Sequence, residues 1–562
     1  MKTASILTIA GVTLVSGAIA YAVYFDNKRR NDAAFRKKLR KDKKKVDKSA
    51  ASQEAASASA SAASLGPLNI TEVELRAAIE TVKKEELPAS PEAKEQYFMQ
   101  QVNMGETLCA QGPAFSLTAA MCFFRALRVY PSPVELLMIY QQTVPEPVFK
   151  LVVEMTQLDV KTRVEGYWDA FPPKDMNVTA KPVDIESTNG ATVRKRVLVA
   201  TKDFKAGDVI YTEDPVVTAL DTDLEGKGLY CSHCFRPISP DSAIRPPEGT
   251  DKFGPSYCSK ECELKSVNQS QGLLFGTTSP VPEAELTPEM IAKRAEAQDA
   301  FVARLRTQGK IAPLLVARFN ARQVSGELSK MFPGMPGEPA TVFGLSDFTL
   351  YDHVERLRFL EVTPEEEEVI TFRNVLESVL PGLDQFITEE RYGTVKGQML
   401  YNSYGVYYSE GRDDKPDDGL RPEDKERTRS AVGTNRQVGS AFYIVSSYAQ
   451  HDCDPNARPV FTDSATLRLT ATRDIAAGEE ITVAYVDTTA QPDEPVVDAR
   501  RRRRMELARG WRFPCTCKRC HAEAPADADK HEEPIKDESK VEPAVERKEE
   551  EDKQTFEATI DA

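Results

Sequence analysis

Ten cysteines stand in the 562-residue chain, and four of them are spaced for metal chemistry. Cys231-x2-Cys234 is followed, after 23 residues, by Cys258-x3-Cys262. Four thiolates at such spacing suit one tetrahedral structural zinc, each sulfur about 2.3 Å from the ion. Cys453 sits in a His-Asp-Cys turn, and Cys515-x-Cys517-x2-Cys520 makes a further cluster. In a chain whose N-terminal segment does not read as a cleavable secretory signal, such clusters favour zinc over disulfides. They place the bulk of the protein in a reducing compartment. Cys109 and Cys122 fall in apolar helical stretches and read as core.

The elements that hold these residues must form two or three domains, because 562 residues exceed one ordinary core. Hydrophobic residues make up 41%, enough for globular domains, and 36 prolines predict many loops or linkers. A net charge of −14 opposes general nucleic-acid binding, which needs a basic face. An acidic surface suits basic partners, or simply solubility.

Ala4 to Phe25 holds no charged residue. At about 1.5 Å per helical residue it crosses a hydrocarbon layer of roughly 30 Å. A basic run follows, from Lys28, Arg29 and Arg30 to Lys43, Lys44 and Lys45. Positive charge stays on the cytosolic side, so residues 1–25 are expected to be a single-pass anchor with the soluble part facing the cytosol. A cleaved signal peptide fits less well, since only Lys2 precedes a long span and heavy positive charge follows it. The span alone does not choose between membranes. Residues 26–65 read as a linker, basic and then Ala/Ser-rich without apolar periodicity.

Residues 66–165 read as an all-α domain. In Glu92–Gln111, Phe98, Val102, Gly105 and Cys109 share one face, and Gly112-Pro113 ends the helix. The next helix carries Leu117, Ala120, Phe124 and Leu127 and stops before Pro131. Ala120-x3-Phe124 with Pro131 matches the second helix of a tetratricopeptide unit. A third helix is expected over about Pro133–Gln142, and a fourth from Pro145 and Pro147 to near Leu158. One such unit leaves an apolar groove open, where an amphipathic peptide helix docks; packing against neighbouring helices is the plainer reading of the same stripe.

Gln96-Tyr97-Phe98-Met99, Gly105-Glu106-Thr107-Leu108 and Ala126-Leu127-Arg128-Val129-Tyr130-Pro131 are long specific strings. So is Pro133-Val134-Glu135-Leu136-Leu137-Met138-Ile139-Tyr140-Gln141-Gln142-Thr143. With the anchor and basic linker, residues 1–160 resemble the presequence receptor of the mitochondrial outer-membrane translocase, its twenty-kilodalton subunit. The resemblance implies residence in that membrane, mitochondrial presequences and other translocase subunits as partners, and a presequence groove lined by Phe98, Met99, Val102, Glu135 and Ile139.

From about residue 185 the chain reads as short strands and loops, and 166–190 as loop. Val193–Thr201 and Asp208–Thr212 flank the turn Lys205-Ala206-Gly207-Asp208 and are expected to pair as a hairpin. Downstream stand Ser447-Tyr448-Ala449-Gln450-His451-Asp452-Cys453-Asp454-Pro455-Asn456, Gly478-Glu479-Glu480-Ile481-Thr482-Val483-Ala484-Tyr485, and the last cysteine cluster. These elements, in this order, resemble the SET-domain lysine methyltransferases of the SET-and-MYND branch over 185–520. The implied architecture is an α+β SET domain with a zinc insert at 231–262, a helical insertion at 265–430 and a post-SET zinc segment at 505–520. The insert keeps the first and third cysteine pairs of a MYND module and lacks the other set, leaving a half-MYND finger. The family's second zinc joins Cys453 to Cys515, Cys517 and Cys520.

The insertion reads as scaffold without chemistry of its own. Thr363-Pro364-Glu365-Glu366 predicts a helix start with Thr363 as cap, and Glu365–Glu368 a solvated first turn. Residues 521–562 are acidic, poor in apolar side chains and expected to be disordered.

The resemblance implies S-adenosylmethionine as cofactor and Tyr485 as the catalytic tyrosine beside a channel where cofactor and target lysine meet from opposite sides. His451, Asn456 and Gln450 fall on the cofactor-closing motif. Two positions depart from the family: Gln450 replaces its asparagine, and Lys195-Arg196-Val197 replaces an early Gly-x-Gly that lets backbone approach the cofactor. Three readings follow: an import receptor with an inactive SET scaffold, a receptor that also methylates proteins at the mitochondrial surface, and a membrane-tethered protein-lysine methyltransferase that uses its helical domain to recruit substrates.

Overall fold

Thr71 opens the first helix by a reciprocal exchange with Glu74. Its hydroxyl accepts from the Glu74 amide while the Glu74 carboxylate accepts from the Thr71 N–H, a capping box. The computed structural model describes residues 70–525 apart from 86, 89–90, 131–132, 187–191, 280–286, 332–347, 381–386 and 418. These residues form two compact units that divide at Tyr167/Trp168, each taken below by itself.

In the first unit α1 (Glu72–Lys83), α2 (Pro91–Ala110), α3 (Ser116–Val129), α4 (Pro133–Thr143) and α5 (Glu146–Glu165) enclose one apolar core. Helix α1 was not singled out by the sequence pattern; the other four start within a few residues of expectation. Gly105 explains the close pairing of α2 and α3: a Cβ there would stand 2.9 Å from the Phe123 ring. Phe123 then meets Tyr140 of α4 edge-on at 5.0 Å. Ala120 and Phe124 are buried in the same core. The expected anchor at 1–25, the linker at 26–65 and the expected tail of 521–562 from residue 526 on lie outside the described residues; within that tail a helix reaches Ala522 and Glu523 pairs with Arg519. Among the described residues no helix is long and apolar enough to cross a membrane.

The second unit is built on short strands: β1 (Val178–Glu186), β2 (Thr192–Ala200), β3 (Val209–Glu213), β4 (Val217–Leu220), β5 (Tyr404–Val406), β6 (Gly439–Phe442), β7 (Gln450–His451), β8 (Ala457–Val460), β9 (Leu467–Ala471) and β10 (Thr482–Val483). Two sheets have three strands, in the orders β3-β9-β8 and β4-β6-β5. The expected hairpin between β2 and β3 is not formed. The turn is there, with the Lys205 N–H donating to Asp208 Oδ2 and Gly207 at φ 93°, but the strands part. β1 pairs with β2 along its whole length, and β3 pairs with β9 instead. The stretch 166–190, read as loop, thus contains a strand, with Pro182 opposite Arg196.

Between residues 260 and 402 the unit is mainly helical, including α6 (Lys260–Ser266), α7 (Pro288–Gln308), α8 (Ala312–Met331), α9 (Glu366–Val379) and α10 (Glu389–Asn402). α8 packs on β4, where Arg318 donates to the Thr218 carbonyl at 2.6 Å. Two expectations fail at α9. Its cap is Glu365, in extended backbone, not Thr363; the residues before it pass close to α10, where a Cβ on Gly393 would stand 2.8 Å from the Val362 carbonyl oxygen. Nor is the glutamate run simply solvated: Glu368 is fully buried, accepting from Tyr392 Oη at 2.7 Å and Lys396 Nζ at 2.8 Å.

Candidate functional site

The two cysteine clusters form in space. Cys231, Cys234, Cys258 and Cys262 converge, as do Cys453, Cys515, Cys517 and Cys520, with all four sulfurs of each group within 4.8 Å of one another. Four sulfurs at about 2.3 Å from a tetrahedral ion lie about 3.8 Å apart. Observed separations are 3.6 Å for Cys234–Cys258, 3.5 Å for Cys258–Cys262, 3.5 Å for Cys453–Cys520 and 3.9 Å for Cys453–Cys515. Both donor sets therefore fit zinc. In the first, the Ser232 N–H donates to the Ser256 carbonyl, tying the two pairs together, and Ser259 caps α6 by accepting from Cys262. In the second, α11 (Val496–Trp511) and α12 (Lys518–Ala522) carry the segment back, and Arg519 donates to the Cys453 carbonyl at 2.9 Å.

His451 links that zinc site to Tyr485. Its Nδ1 accepts from the Tyr485 amide at 3.1 Å, so Nε2 carries the hydrogen and faces Cys453 Sγ at 3.2 Å. Burial depresses its pKa to about 3, and the ring is neutral at physiological pH. Asn456 is equally committed: its amide donates to the Glu480 carbonyl at 2.8 Å and accepts from the Thr482 N–H at 2.8 Å. Gln450 turns its amide onto the Tyr448 carbonyl at 3.1 Å. All three side chains are hydrogen-bonded to protein groups.

Tyr485 is fully buried, its hydroxyl donating to the Ala449 carbonyl at 2.7 Å. Burial pushes the phenol pKa well up. Over its ring, 4.2 Å from the centre, lies the guanidinium of Arg429. Arg429 is itself buried and donates to the carbonyls of Ser446, Ser447 and Ala449 at 3.1–3.4 Å, to Tyr401 O at 3.1 Å and to Asn402 Oδ1 at 3.0 Å. The rings of Tyr401 and Tyr404 complete the enclosure at 5.6 and 5.5 Å. Sequence reasoning missed Arg429: in Thr428-Arg429-Ser430 it reads as a surface residue of an insertion, with no motif to mark it.

Two cavities border residues that this arginine touches. One of about 750 Å³ is bordered by Tyr485, Trp511, Arg427 and Glu506. The other, about 40 Å³, is lined by Lys195, Arg196, Arg358, Ser447, Tyr448 and Gln450, among others. The second is where the motif resemblance puts S-adenosylmethionine, and the residues present do not fit it. A ligand of that size needs a few hundred Å³. Lys195 and Arg196 project where the family has glycine, with Arg196 over the Trp168 ring at 3.8 Å.

In the helical unit, Met99 and Ile139 are about half exposed (53% and 45%), while Phe98 and Val102 are half-buried against the core. Phe98 meets the Tyr130 ring at 5.2 Å. Glu135 lies in α4, and its side chain is outside the described residues.

Comparison with known proteins matches residues 8–168 to the MAS20 protein import receptor family and residues 195–486 to the SET domain. The mitochondrial import receptor subunit tom20 of Neurospora crassa is 41% identical over 157 residues, 28% of this chain and 81% of that protein. The TOM20 subunit of Saccharomyces cerevisiae is 32% identical over 186 residues, 32% of this chain and 94% of its own. The histone-lysine N-methyltransferase ATXR4 of Arabidopsis thaliana is 24% identical over 353 residues, 62% of this chain and 89% of that protein.

Proposed function

The chain belongs both to the MAS20 import-receptor family and to the SET-domain family, and on that premise we propose that it is a presequence receptor at the mitochondrial outer membrane whose SET domain is a scaffold without methyl transfer. Its N-terminal anchor holds it in that membrane, and its tetratricopeptide-like helices serve the translocase from the cytosolic side. Presequence helices dock their apolar face on Phe98, Met99, Val102 and Ile139, with Glu135 toward their basic face. The exposure of Met99 and Ile139 and the half-burial of Phe98 support this reading, since apolar side chains left open to solvent mark an interaction site.

One observation favours a scaffold over an enzyme. Arg429 touches Tyr485, which borders the larger cavity, and the carbonyl of Ser447, which lines the smaller one. Its permanent guanidinium lies against the face of the tyrosine that the family's target amine would have to approach. Titration of a fluorescent presequence peptide tests the receptor reading. Saturable binding that Ile139→Asp weakens supports it, and binding unchanged by that substitution refutes it.

A further inference from the structure

Glu426 commits one carboxylate oxygen and leaves the other. Its Oε2 accepts from the amides of Ile311 and Ala312 at 2.7 and 3.1 Å, at the start of α8. Its Oε1 is buried and has no hydrogen-bond partner among the described residues. Ser403, directly after α10, is in the same condition: it is 1% exposed, and its Oγ has no such partner. Both side chains line one cavity of about 220 Å³, whose wall also includes exposed Gly309 and Asp417. The other charged side chains on that wall are paired. Asp223 lies 2.5 Å from Arg412, Lys310 3.2 Å from Glu365, Lys415 2.6 Å from Asp221, Asp417 3.4 Å from Lys425, and Arg427 2.8 Å from Glu506. Lys396 also acts on Glu426, but it is held by Glu368 at 2.8 Å.

A buried carboxylate oxygen without a partner is costly, and a bound cation removes that cost. Ile311, Leu315 and Met399 give the same wall buried apolar surface. An alkyl ammonium matches both features, with N–H donors for the two acceptors and methylenes for the apolar side. A guanidinium matches less well: its fork asks for both carboxylate oxygens, and the α8 amides already hold one. The volume exceeds the ~150 Å³ that admits a benzene-sized molecule, so a short amine fits whole. We propose that this cavity binds a small primary alkylamine, with Glu426 Oε1 as its counter-ion and Ser403 Oγ as a further acceptor. The cavity shares no lining residue with the small one beside Gln450, and Tyr485 is not on its wall. Glu426 also borders the 750 Å³ cavity, whereas Ser403, Ile311, Leu315 and Met399 do not.

The test is calorimetric titration of the full-length, zinc-loaded chain in detergent, with butylamine, butylguanidine and butanol in separate runs. Butylamine is expected to bind at one per chain, and at least about tenfold more tightly than butanol, its uncharged counterpart. Glu426→Gln, which keeps an oxygen for the α8 amides, is expected to weaken butylamine at least about tenfold, the loss of one charge-assisted bond. Ser403→Ala is expected to weaken it several-fold, while Lys293→Gln on α7 leaves it unchanged. Equal zinc content and equal circular dichroism establish that the variants are folded. Should Glu426→Gln fail to fold, Ser403→Ala and the butanol comparison decide. Absence of butylamine binding, butanol binding as tightly, or binding indifferent to both Glu426→Gln and Ser403→Ala overturns the proposal. Butylguanidine binding more tightly than butylamine overturns the assignment to an ammonium.

Discussion

The Arg429 guanidinium lies 4.2 Å above the centre of the Tyr485 ring, and the two side chains converge on one acceptor, the Ala449 carbonyl. The tyrosine hydroxyl is thus held by backbone and one face of its ring is covered by a cation. The arrangement welds the Ser446–Ala449 turn to Tyr401 and Asn402 at the end of α10. Arg429→Met is predicted to leave several buried carbonyls without a donor and to lower stability by about 3–5 kcal/mol. Denaturant unfolding measures this, and a loss below about 1 kcal/mol would show that the arginine is not structural.

Zinc is predicted at two ions per chain. Cys515→Ser should leave one ion and loosen α12, because Cys453 and Cys515 are 62 residues apart in sequence and meet through the metal site. Metal analysis by mass spectrometry, with limited proteolysis after residue 511, reads both effects. Two ions retained by the variant would contradict the ligand set.

Glu213 gives the SET unit a pH dependence. Its carboxylate accepts from the amides of Ile444, Val445 and Ser446 at 2.7–2.9 Å and from Ser446 Oγ at 2.6 Å. Complete burial nevertheless raises its pKa to about 7, above the usual 4.5. The folded state therefore binds a proton that the unfolded state has released between these values. The associated stability is present below about pH 4.5 and is lost as pH rises through about 7. At ~1.4 kcal/mol per tenfold change in proton affinity, the difference is about 3 kcal/mol. Glu213→Gln should flatten the curve, so parallel pH profiles of unfolding for the two proteins would count against this account.

Met99→Asp and Ile139→Asp are predicted to weaken presequence binding about tenfold or more while shifting the unfolding midpoint little, since both side chains are about half exposed. Phe98→Asp should do both, because Phe98 also packs on Tyr130. Fluorescence titration beside thermal unfolding separates the two effects. A large loss of stability in Met99→Asp would place that residue in the core.

Much of the site was legible where chemistry is local. Cys-x2-Cys and Cys-x3-Cys announce thiolate pairs by spacing, and the helical unit announces itself by apolar periodicity broken at Gly112-Pro113. What depends on distant pairing was not. β3 takes its partner from Leu467–Ala471, so the nearby turn misled, and Pro182 disguised β1. Glu368 looked solvated because its partners Tyr392 and Lys396 lie a helix away. Arg429 was invisible for the same reason: five acceptors from five residues in two separate segments define it, and none is near it in sequence.

The central claim is that this receptor carries a SET fold closed to its family's cofactor, and titration of S-adenosylmethionine into the full-length, zinc-loaded chain tests it most directly. No saturable heat from a folded sample that still binds presequence peptide is the predicted result. Micromolar binding at one cofactor per chain, followed by methyl transfer that Tyr485→Phe abolishes, would contradict it.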